Sequence, residues 1–339
     1  MSVLTQQETL IGEREELRSE LHSLRSGCVA YRLDRTLVSL SGKDRTRWLN
    51  GMVSNNIRDL RSGHGVYAFV LNPQGKIQGD LYAFHRGETI VVELDRAQSN
   101  LLPQLRRYII MDKVEVEELG DRVDVLGAAG PGANRALASL GLTPPSVALE
   151  LLDTTWNGMA LLTVVRGDNP CVPNFELWVA KDQTDRVWHA LLQAGAREIH
   201  NTALETFRVL CGIPRVGVDI GERTLPQETA QDRALNFNKG CYIGQEIVER
   251  IRARGAVHRV LTGLEVNGPI PVPGAPIQLA GKDIGLITSA ATVPAGDGVR
   301  VIALGFVRRE HLADGVTFEV AGAKASPVLL PFSQLLQQL

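Results

Sequence analysis

The stretch that organises this chain is Asn238-Lys239-Gly240-Cys241-Tyr242-Ile243-Gly244-Gln245-Glu246, which continues through a basic segment to Gly255. It brings a thiol, an amine, an amide and a carboxylate together within nine residues. Apolar side chains then recur at the spacing of one helix face, namely Ile243, Ile247, Val248 and Ile251. The sequence therefore predicts a helix that begins close to Cys241 and ends at Gly255, a residue suited to stopping a helix.

Two interpretations of Cys241 follow from this position. A helix N-terminus and the nearby Lys239 both favour the thiolate, which is the reactive form of cysteine. Unpaired cysteines are also among the residues most often buried as small apolar groups. The sequence alone leaves the reactive and the structural interpretation open.

The composition indicates a globular protein. At 339 residues the chain is long enough for two or three domains, and 44% hydrophobic with 22% charged residues is ordinary for a folded chain. A net charge of -2 argues against broad binding to nucleic acid or membrane surfaces. No apolar run is long enough to cross a bilayer, and the acidic N-terminus is typical of neither a secretory signal nor a transit peptide. We therefore expect a cytoplasmic protein.

The cysteines indicate no covalent or metal framework. Four of them, Cys28, Cys171, Cys211 and Cys241, are scattered without a C-x-x-C pair. Neither a disulfide framework nor a closed zinc or iron–sulfur site is predicted from such spacing.

Strand-like and helix-like patterns alternate through the first 255 residues. Strand-like runs include 29–33, 36–40, 66–71, 76–84 and 89–94, and helix-like runs include 96–108, 133–140, 182–194 and 201–212. Helices alternating with hairpin-joined strands favour an α+β sandwich of the ferredoxin-like kind over an all-parallel sheet. Beyond residue 255, short β-prone runs separated by Gly/Pro-rich turns favour a small antiparallel barrel.

Two carboxylates interrupt predicted strands. Asp80 lies in the run 76–84, and Glu176 breaks the apolar run around Phe175 and Leu177. A carboxylate among apolar neighbours needs hydrogen-bond donors from the protein or from a ligand. For both residues an ordinary solvated strand face is the alternative.

The motif from Lys239 to Glu246, with Arg250 and Gly255 after it, resembles the signature of the YgfZ-type folate-binding proteins. These are relatives of the aminomethyltransferase (T-protein) of the glycine cleavage system. Other segments resemble the family in the same order, including Trp48-Leu49-Asn50, Ser54-Asn55, Asn72-Pro73-x-Gly75, Phe175-Glu176-Leu177, Gly212-Ile213-Pro214 and Pro226-Gln227-Glu228. The resemblance extends from about residue 28 to the end of the chain.

The resemblance implies an α+β, aminomethyltransferase-like folate-binding fold. Two interwoven ferredoxin-like lobes and a C-terminal antiparallel β-barrel are expected around a central channel. The implied domains are an N-terminal helical extension (residues 1–27), the folate-binding region (28–255) and the barrel (256–339).

The resemblance also implies a function. Tetrahydrofolate or a one-carbon derivative binds in the channel in this family, and YgfZ-type members support the synthesis or repair of iron–sulfur enzymes, including some that modify tRNA. Transient iron–sulfur client or assembly proteins are the implied partners. The alternative is the T-protein reaction, in which a one-carbon unit passes from an aminomethyl-lipoyl carrier to tetrahydrofolate. Whether this chain catalyses a reaction is left open.

The site residues are implied by position in the family pattern. Cys241 and Asp80 are the candidate catalytic groups, and Cys241 separates the subfamilies because T-proteins do not generally keep it. The candidate folate-binding groups are Glu176 for the pterin, Trp178 and Tyr242 for the aminobenzoyl ring, Lys239, Arg233 and Arg250 for the glutamate tail, and Gln245 of the motif. A helix pair between Glu246 and Arg250 is an equally good account of that arginine.

Two positions depart from the family pattern. Asn56 stands where the family commonly has aspartate, and Gly79 stands where T-proteins tend to show the first of two adjacent aspartates. The loss at Gly79 weakens the expectation of T-protein chemistry. A third functional class, RNA binding, would use Arg250, Arg252, Arg254 and Arg259, but arginines near a helix end usually have a structural role.

Overall fold

The computed structural model describes residues 3–158, 161–255, 257–296 and 298–339. Within them the strands form a six-stranded sheet, a five-stranded sheet and a closed six-stranded barrel. The helices are α1 (Val3–Ser26), α2 (Arg45–Met52), α3 (Leu101–Arg106), α4 (Ala133–Ser139), α5 (Thr184–Gln193), α6 (Asn201–Leu210), α7 (Gln245–Arg254) and α8 (Ser333–Leu336).

The six-stranded sheet combines one strand near the N-terminus, β1, with five strands that lie between residues 123 and 198. Its strands are β1 (Val29–Leu33), β7 (Val123–Ala129), β8 (Leu151–Thr155), β9 (Leu161–Arg166), β10 (Asn174–Ala180) and β11 (Arg197–Glu198). Their order is β11-β1-β7-β10-β9-β8, and only the short β1–β11 pair is parallel.

The five-stranded sheet is antiparallel and is inserted between β1 and β7 in the chain. Its strands are β2 (Arg35–Ser41), β3 (His64–Leu71), β4 (Ile77–Arg86), β5 (Thr89–Asp95) and β6 (Glu115–Glu118), in the order β3-β4-β5-β2-β6. Because β1 joins one sheet and β2 joins the other, the chain enters one lobe, completes the second and then returns. The predicted interweaving of two α+β lobes is confirmed.

The C-terminal barrel is closed and antiparallel, as predicted. Its strands are β12 (Arg259–Asn267), β13 (Pro276–Leu279), β14 (Lys282–Ala295), β15 (Gly298–Arg308), β16 (Phe318–Val320) and β17 (Ala323–Val328), in the order β12-β15-β14-β13-β16-β17. Its interior is apolar, with Ile277, Ile287 and Phe318 almost wholly buried. The interior of the barrel is therefore a packed apolar core.

Helix α1 packs into the body of the protein. Leu21 and Leu24 are buried in the same core as Phe207 of α6 and Val293 of β14. Glu20 of α1 is 3% exposed and accepts hydrogen bonds from the backbone N–H and the ring of His200. The N-terminal helix thus joins α6 to the barrel, and the predicted boundaries at residues 27 and 255 stay predictions.

Glycines allow α7 to lie against the β3–β4 hairpin. Gly244, directly before α7, has φ +84, and a Cβ there would lie 2.6 Å from the carbonyl oxygen of Asn72. A Cβ on Gly75 of the hairpin, which has φ +71, would lie 2.8 Å from Cβ of Ile247. Only glycine combines that backbone conformation with so close an approach, which fixes the Cys241 motif against the five-stranded sheet.

None of the helices in the described ranges is both long and apolar enough to cross a membrane.

Candidate functional site

A channel of about 630 Å³ lies where the two sheets meet. Its volume falls in the range of sites for cofactor-sized ligands. Its lining includes acidic and basic side chains from both sheets, α6 and a loop, among them Arg35, Asp80, Glu93, Glu176, Arg208 and Arg233. The sequence-predicted residues Asp80, Glu176 and Arg233 are thus brought together in one cavity.

Strand alternation places the channel carboxylates. Along β4, Leu81 and Ala83 face the buried core beneath the sheet, so Asp80 and Tyr82 face the channel. Along β5 the same alternation turns Glu93 toward the channel. Glu93 was not predicted as a site residue, although it interrupts an apolar strand run in the same way as Asp80 and Glu176.

Asp80 is held by two donors on neighbouring elements. The Tyr67 hydroxyl donates to its Oδ2 at 2.6 Å, and the Gln98 amide donates to its Oδ1 at 2.6 Å. Burial raises the pKa of Asp80 above its ordinary value, and these two hydrogen bonds oppose the shift. The carboxyl group is therefore preorganised within the channel, with each oxygen already in contact with a donor.

The departure at Gly79 has a packing cause. A Cβ at this position would lie 2.5 Å from the Leu101 side chain and 2.7 Å from Oε1 of Gln98. The space that a second aspartate needs is occupied by the same glutamine that orients Asp80. Strand β4 therefore presents a single aspartate, Asp80, to the channel.

Glu176 reaches the channel from the opposite sheet. It lies on β10 between the buried Phe175 and Leu177, and its Oε2 is buried without a hydrogen-bond partner among the described residues. A buried carboxylate oxygen without a donor is costly unless a ligand supplies one. Glu93 lines the same channel from the five-stranded sheet, and the proximity of Glu176 contributes to raising its pKa.

Aromatic rings form one wall of the channel. Tyr67 and Tyr82 are paired across β3 and β4 with their ring centroids 5.0 Å apart, and Phe84 stacks on Tyr82. Arg233 lies over the Tyr67 ring at 4.3 Å and forms an ion pair with Asp168. This wall combines apolar surface with a cation at its edge.

Trp178 lies beside this wall and away from the channel lining. It is 4% exposed and packs edge-to-face on Phe84 at 5.3 Å. Phe84 itself lines the channel. In this structure Trp178 supports the aromatic wall from behind.

A buried charge network attaches the channel to the barrel. Arg208 of α6 donates to Glu205 in a fork, to Asp219 at 2.7 Å and to the Ser289 hydroxyl of β14 at 2.8 Å. The Asp219 side chain is fully buried and also accepts from Thr288. This network was not predicted, because it joins residues as distant in sequence as Arg208 and Ser289, which are 81 residues apart.

Lys239 is buried beneath the Cys241 motif. Its ammonium group donates to the carbonyl oxygens of Asn50, Val53 and Asn55 at 2.6, 2.5 and 2.8 Å. Burial and then the Arg58 guanidinium lower its pKa to about 7, while the three carbonyl oxygens stabilise the charged form. The ring of Tyr242 covers it at 4.8 Å. Lys239 thus fixes the end of α2 to the motif and does not line the channel.

Asn55 connects the motif to the channel. Its carbonyl oxygen accepts from Lys239, and its side-chain amide donates to the carbonyl oxygens of Tyr67 and Arg233 at 2.8 Å each. Asn55 is therefore hydrogen-bonded both to the motif residue Lys239 and to the channel residues Tyr67 and Arg233. Asn56 is more peripheral and donates to the Asp59 carboxylate.

The other motif residues surround the start of α7. Cys241 is exposed, Tyr242 is 8% exposed within the core, and Arg250 is exposed on the helix. Gln245 accepts a hydrogen bond from the backbone N–H of Tyr242. Tyr242 contacts both Lys239 and Gln245, Arg250 lies further along α7, and none of these motif residues lines the channel.

Two of the arginines considered for RNA binding have structural partners. Arg252 pairs with Glu249 and lies over the Phe237 ring at 4.5 Å. Arg259 pairs with Glu228 and lies over the Phe306 ring at 4.7 Å. The Arg254 side chain lies outside the described part of the structure.

Comparison with known proteins agrees with this architecture. Residues 19–239, more than half of the chain, match the family model described as the GCVT N-terminal domain. The crystal structure of glycine cleavage system aminomethyltransferase T from Bartonella henselae has a TM-score of 0.84, at 21% identity, and the match covers 94% of this chain and 90% of that one. This likeness establishes the fold.

Two proteins with related sequences indicate which members of the family this chain resembles. The tRNA-modifying protein YgfZ of Yersinia pestis is 29% identical over 252 residues, which cover 72% of this chain and 73% of that protein. A chloroplastic Arabidopsis thaliana protein, whose name assigns it provisionally to the transferases, is 25% identical over 293 residues. That match covers 84% of this chain but 66% of the relative, so the chain spans just under two thirds of it. The chain is similar in sequence to YgfZ and in fold to aminomethyltransferase T, and it belongs to the GCVT N-terminal domain family.

Proposed function

We propose that this chain is a tetrahydrofolate-binding accessory protein that supports the synthesis or repair of iron–sulfur enzymes, including enzymes that modify tRNA. The observation that carries the proposal is the buried Glu176 oxygen in the channel, which has no hydrogen-bond partner within the described ranges. A pterin presents parallel N–H donors to a carboxylate, and such a fork would supply the missing donors.

The remainder of the channel suits the rest of a folate. The Tyr82 and Phe84 rings offer an apolar wall to an aminobenzoyl group. The guanidinium of Arg233 at the edge of this wall suits a carboxylate of the glutamate tail. In this arrangement Lys239 and Arg250 act outside the folate site.

Cys241 supplies the accessory role in this proposal. Its thiol is exposed at the surface next to α7, outside the lining of the channel that is proposed to hold folate. A single thiol cannot hold an iron–sulfur cluster, so its proposed action is a transient contact with a client or assembly protein. The two sites are joined through Lys239 and Asn55.

A complementation experiment tests this division of roles. In cells that lack their own family member, the wild-type chain is expected to restore iron–sulfur-dependent tRNA modification. Cys241→Ala is expected to restore little of it, while the purified variant still binds tetrahydrofolate. Cys171→Ala is the matched cysteine control. Full restoration by Cys241→Ala would contradict the proposed role of the thiol.

The second candidate is a folate-dependent aminomethyltransferase. The position of Asp80 in the channel, oriented by Tyr67 and Gln98, favours it. It requires release of the one-carbon unit from an aminomethyl-lipoyl carrier in the presence of tetrahydrofolate. Turnover that is lost in Asp80→Asn would establish this activity, and absence of turnover by the wild type would exclude it.

A further inference from the structure

Two acidic side chains line the channel from opposite sheets, Glu93 on β5 and Glu176 on β10. The Glu93 side chain is 1% exposed, and the proximity of Glu176 contributes to raising the pKa of Glu93. In the described residues neither Oε1 of Glu93 nor Oε2 of Glu176 has a hydrogen-bond partner. Two carboxylates that share a buried site cannot both remain ionised at low cost, so one proton on this pair would give it an internal donor.

The positive charge near Glu93 is too small to neutralise all the carboxyl groups around it, so a proton on Glu93 is favourable. Arg35 of β2 approaches Oε1 of Glu93 at 3.1 Å and Asp95 of β5 at 3.8 Å. The Arg35 guanidinium therefore faces three carboxyl groups, those of Glu93, Asp95 and Glu176. The nearby Tyr82 of β4 and Tyr31 of β1 carry neutral hydroxyls. Burial and then Glu176 raise the pKa of Glu93 well above its ordinary value, and Arg35 opposes the shift.

We propose that Glu93 is a positioning residue that stays protonated and donates a hydrogen bond to Glu176, holding Glu176 as the carboxylate that recognises the ligand. This inference rests on the proposed folate function and adds a residue to it. The donated proton occupies one acceptor site of Glu176 and leaves the others for ligand N–H groups.

The pairing also sets the class of ligand that the channel accepts. A heterocycle edge with two parallel N–H donors, as in a 2-aminopyrimidinone, satisfies the free lone pairs of Glu176. An edge with an acceptor at either position leaves a buried carboxylate oxygen facing another lone pair, which a site of this kind rejects strongly. Glu93 contributes to this selectivity by orienting the Glu176 side chain toward the ligand.

Tetrahydrofolate titrations across pH test the inference in the full chain. The variants are Glu93→Gln, which keeps a donor of the same shape, and Glu93→Leu, which removes it. At neutral pH we expect Glu93→Gln to bind within a few-fold of the wild type and Glu93→Leu to bind about tenfold more weakly. As the pH rises, the wild-type affinity is expected to fall where Glu93 ionises, while Glu93→Gln stays level. Titration of tetrahydrofolate itself affects both proteins equally, so it cancels in the ratio of the wild-type and Glu93→Gln dissociation constants.

A ligand-free measurement separates this inference from the folate proposal. Infrared difference spectra between the wild type and Glu93→Gln should show the carbonyl band of a protonated carboxylic acid at neutral pH. Absence of that band, or identical pH profiles for the two proteins, would overturn the role of Glu93. A band present in a wild type that binds no tetrahydrofolate would instead overturn the folate proposal.

Discussion

Replacing Lys239 with methionine tests whether the motif lysine is structural. The ammonium group makes three hydrogen bonds to carbonyl oxygens at 2.5–2.8 Å, and the residue is 8% exposed. Methionine keeps the length of the side chain but leaves all three buried acceptors without this donor. Hydrogen bonds to a charged group contribute about 1.5–3 kcal/mol each. Because the desolvation cost of the ammonium is also removed, we expect a net loss of roughly 3–5 kcal/mol in the free energy of unfolding.

Equilibrium unfolding in urea, followed by tryptophan fluorescence, measures this loss. Trp48 of α2 is buried two residues before Asn50 and reports on the segment that Lys239 holds. The matched control is Lys76→Met, since Lys76 donates to a single exposed carbonyl, that of Arg223, and its loss should cost under about 1 kcal/mol. A cost below about 1 kcal/mol for Lys239→Met would refute the structural role. Weakened tetrahydrofolate binding by a fully folded variant would instead support the tail-binding role inferred from the family resemblance.

Three further outcomes are expected. Arg208→Met should lower the free energy of unfolding by about 3–5 kcal/mol, because it leaves buried Asp219 without its cation, whereas Arg122→Met at an exposed pair should cost under about 1 kcal/mol in the same urea experiment. Mass-spectrometric mapping after brief alkylation of the native protein should find Cys241 modified and Cys28 protected, since Cys241 is exposed while burial raises the pKa of Cys28 to about 11; equal labelling would contradict this. The raised pKa of Glu93 means that the folded state holds its proton longer than the unfolded state, so its contribution to stability is complete below its ordinary pKa of 4.5 and is lost as pH rises toward the folded value. Urea unfolding from about pH 5 to pH 8 should therefore show the wild type losing stability relative to Glu93→Gln, and a constant difference would disagree with this.

Local sequence patterns were sufficient to predict most of the helices and strands of the fold. The apolar spacing from Ile243 to Ile251 predicted α7, which runs over Gln245–Arg254. Turn residues between 72 and 75 predicted the β3–β4 hairpin, and regular β-prone runs after residue 255 predicted the closed barrel. Each of these signals lies within a few neighbouring residues, where side-chain periodicity and turn chemistry act directly.

The interactions around the site depend on contacts that a linear pattern does not contain. Lys239 was assigned to the folate tail by resemblance, yet its partner Asn50 lies 189 residues away and turns the side chain into the interior. Glu93 carried a local signal of its own, an acid within an apolar strand. What the sequence does not contain is the position of Glu93 near Glu176, which lies on the other sheet and lines the same channel.

Calorimetric titration with tetrahydrofolate of the wild type, Glu176→Ala and Glu319→Ala tests the central claim most directly. Glu319 is an exposed strand glutamate on the barrel and serves as the matched control. We expect the wild type and Glu319→Ala to bind equally well. Glu176→Ala should bind about 100-fold more weakly, because two charge-assisted hydrogen bonds are worth on the order of 3 kcal/mol. Equal affinity in all three proteins, or no binding by the wild type, would contradict recognition of folate by Glu176 in the channel.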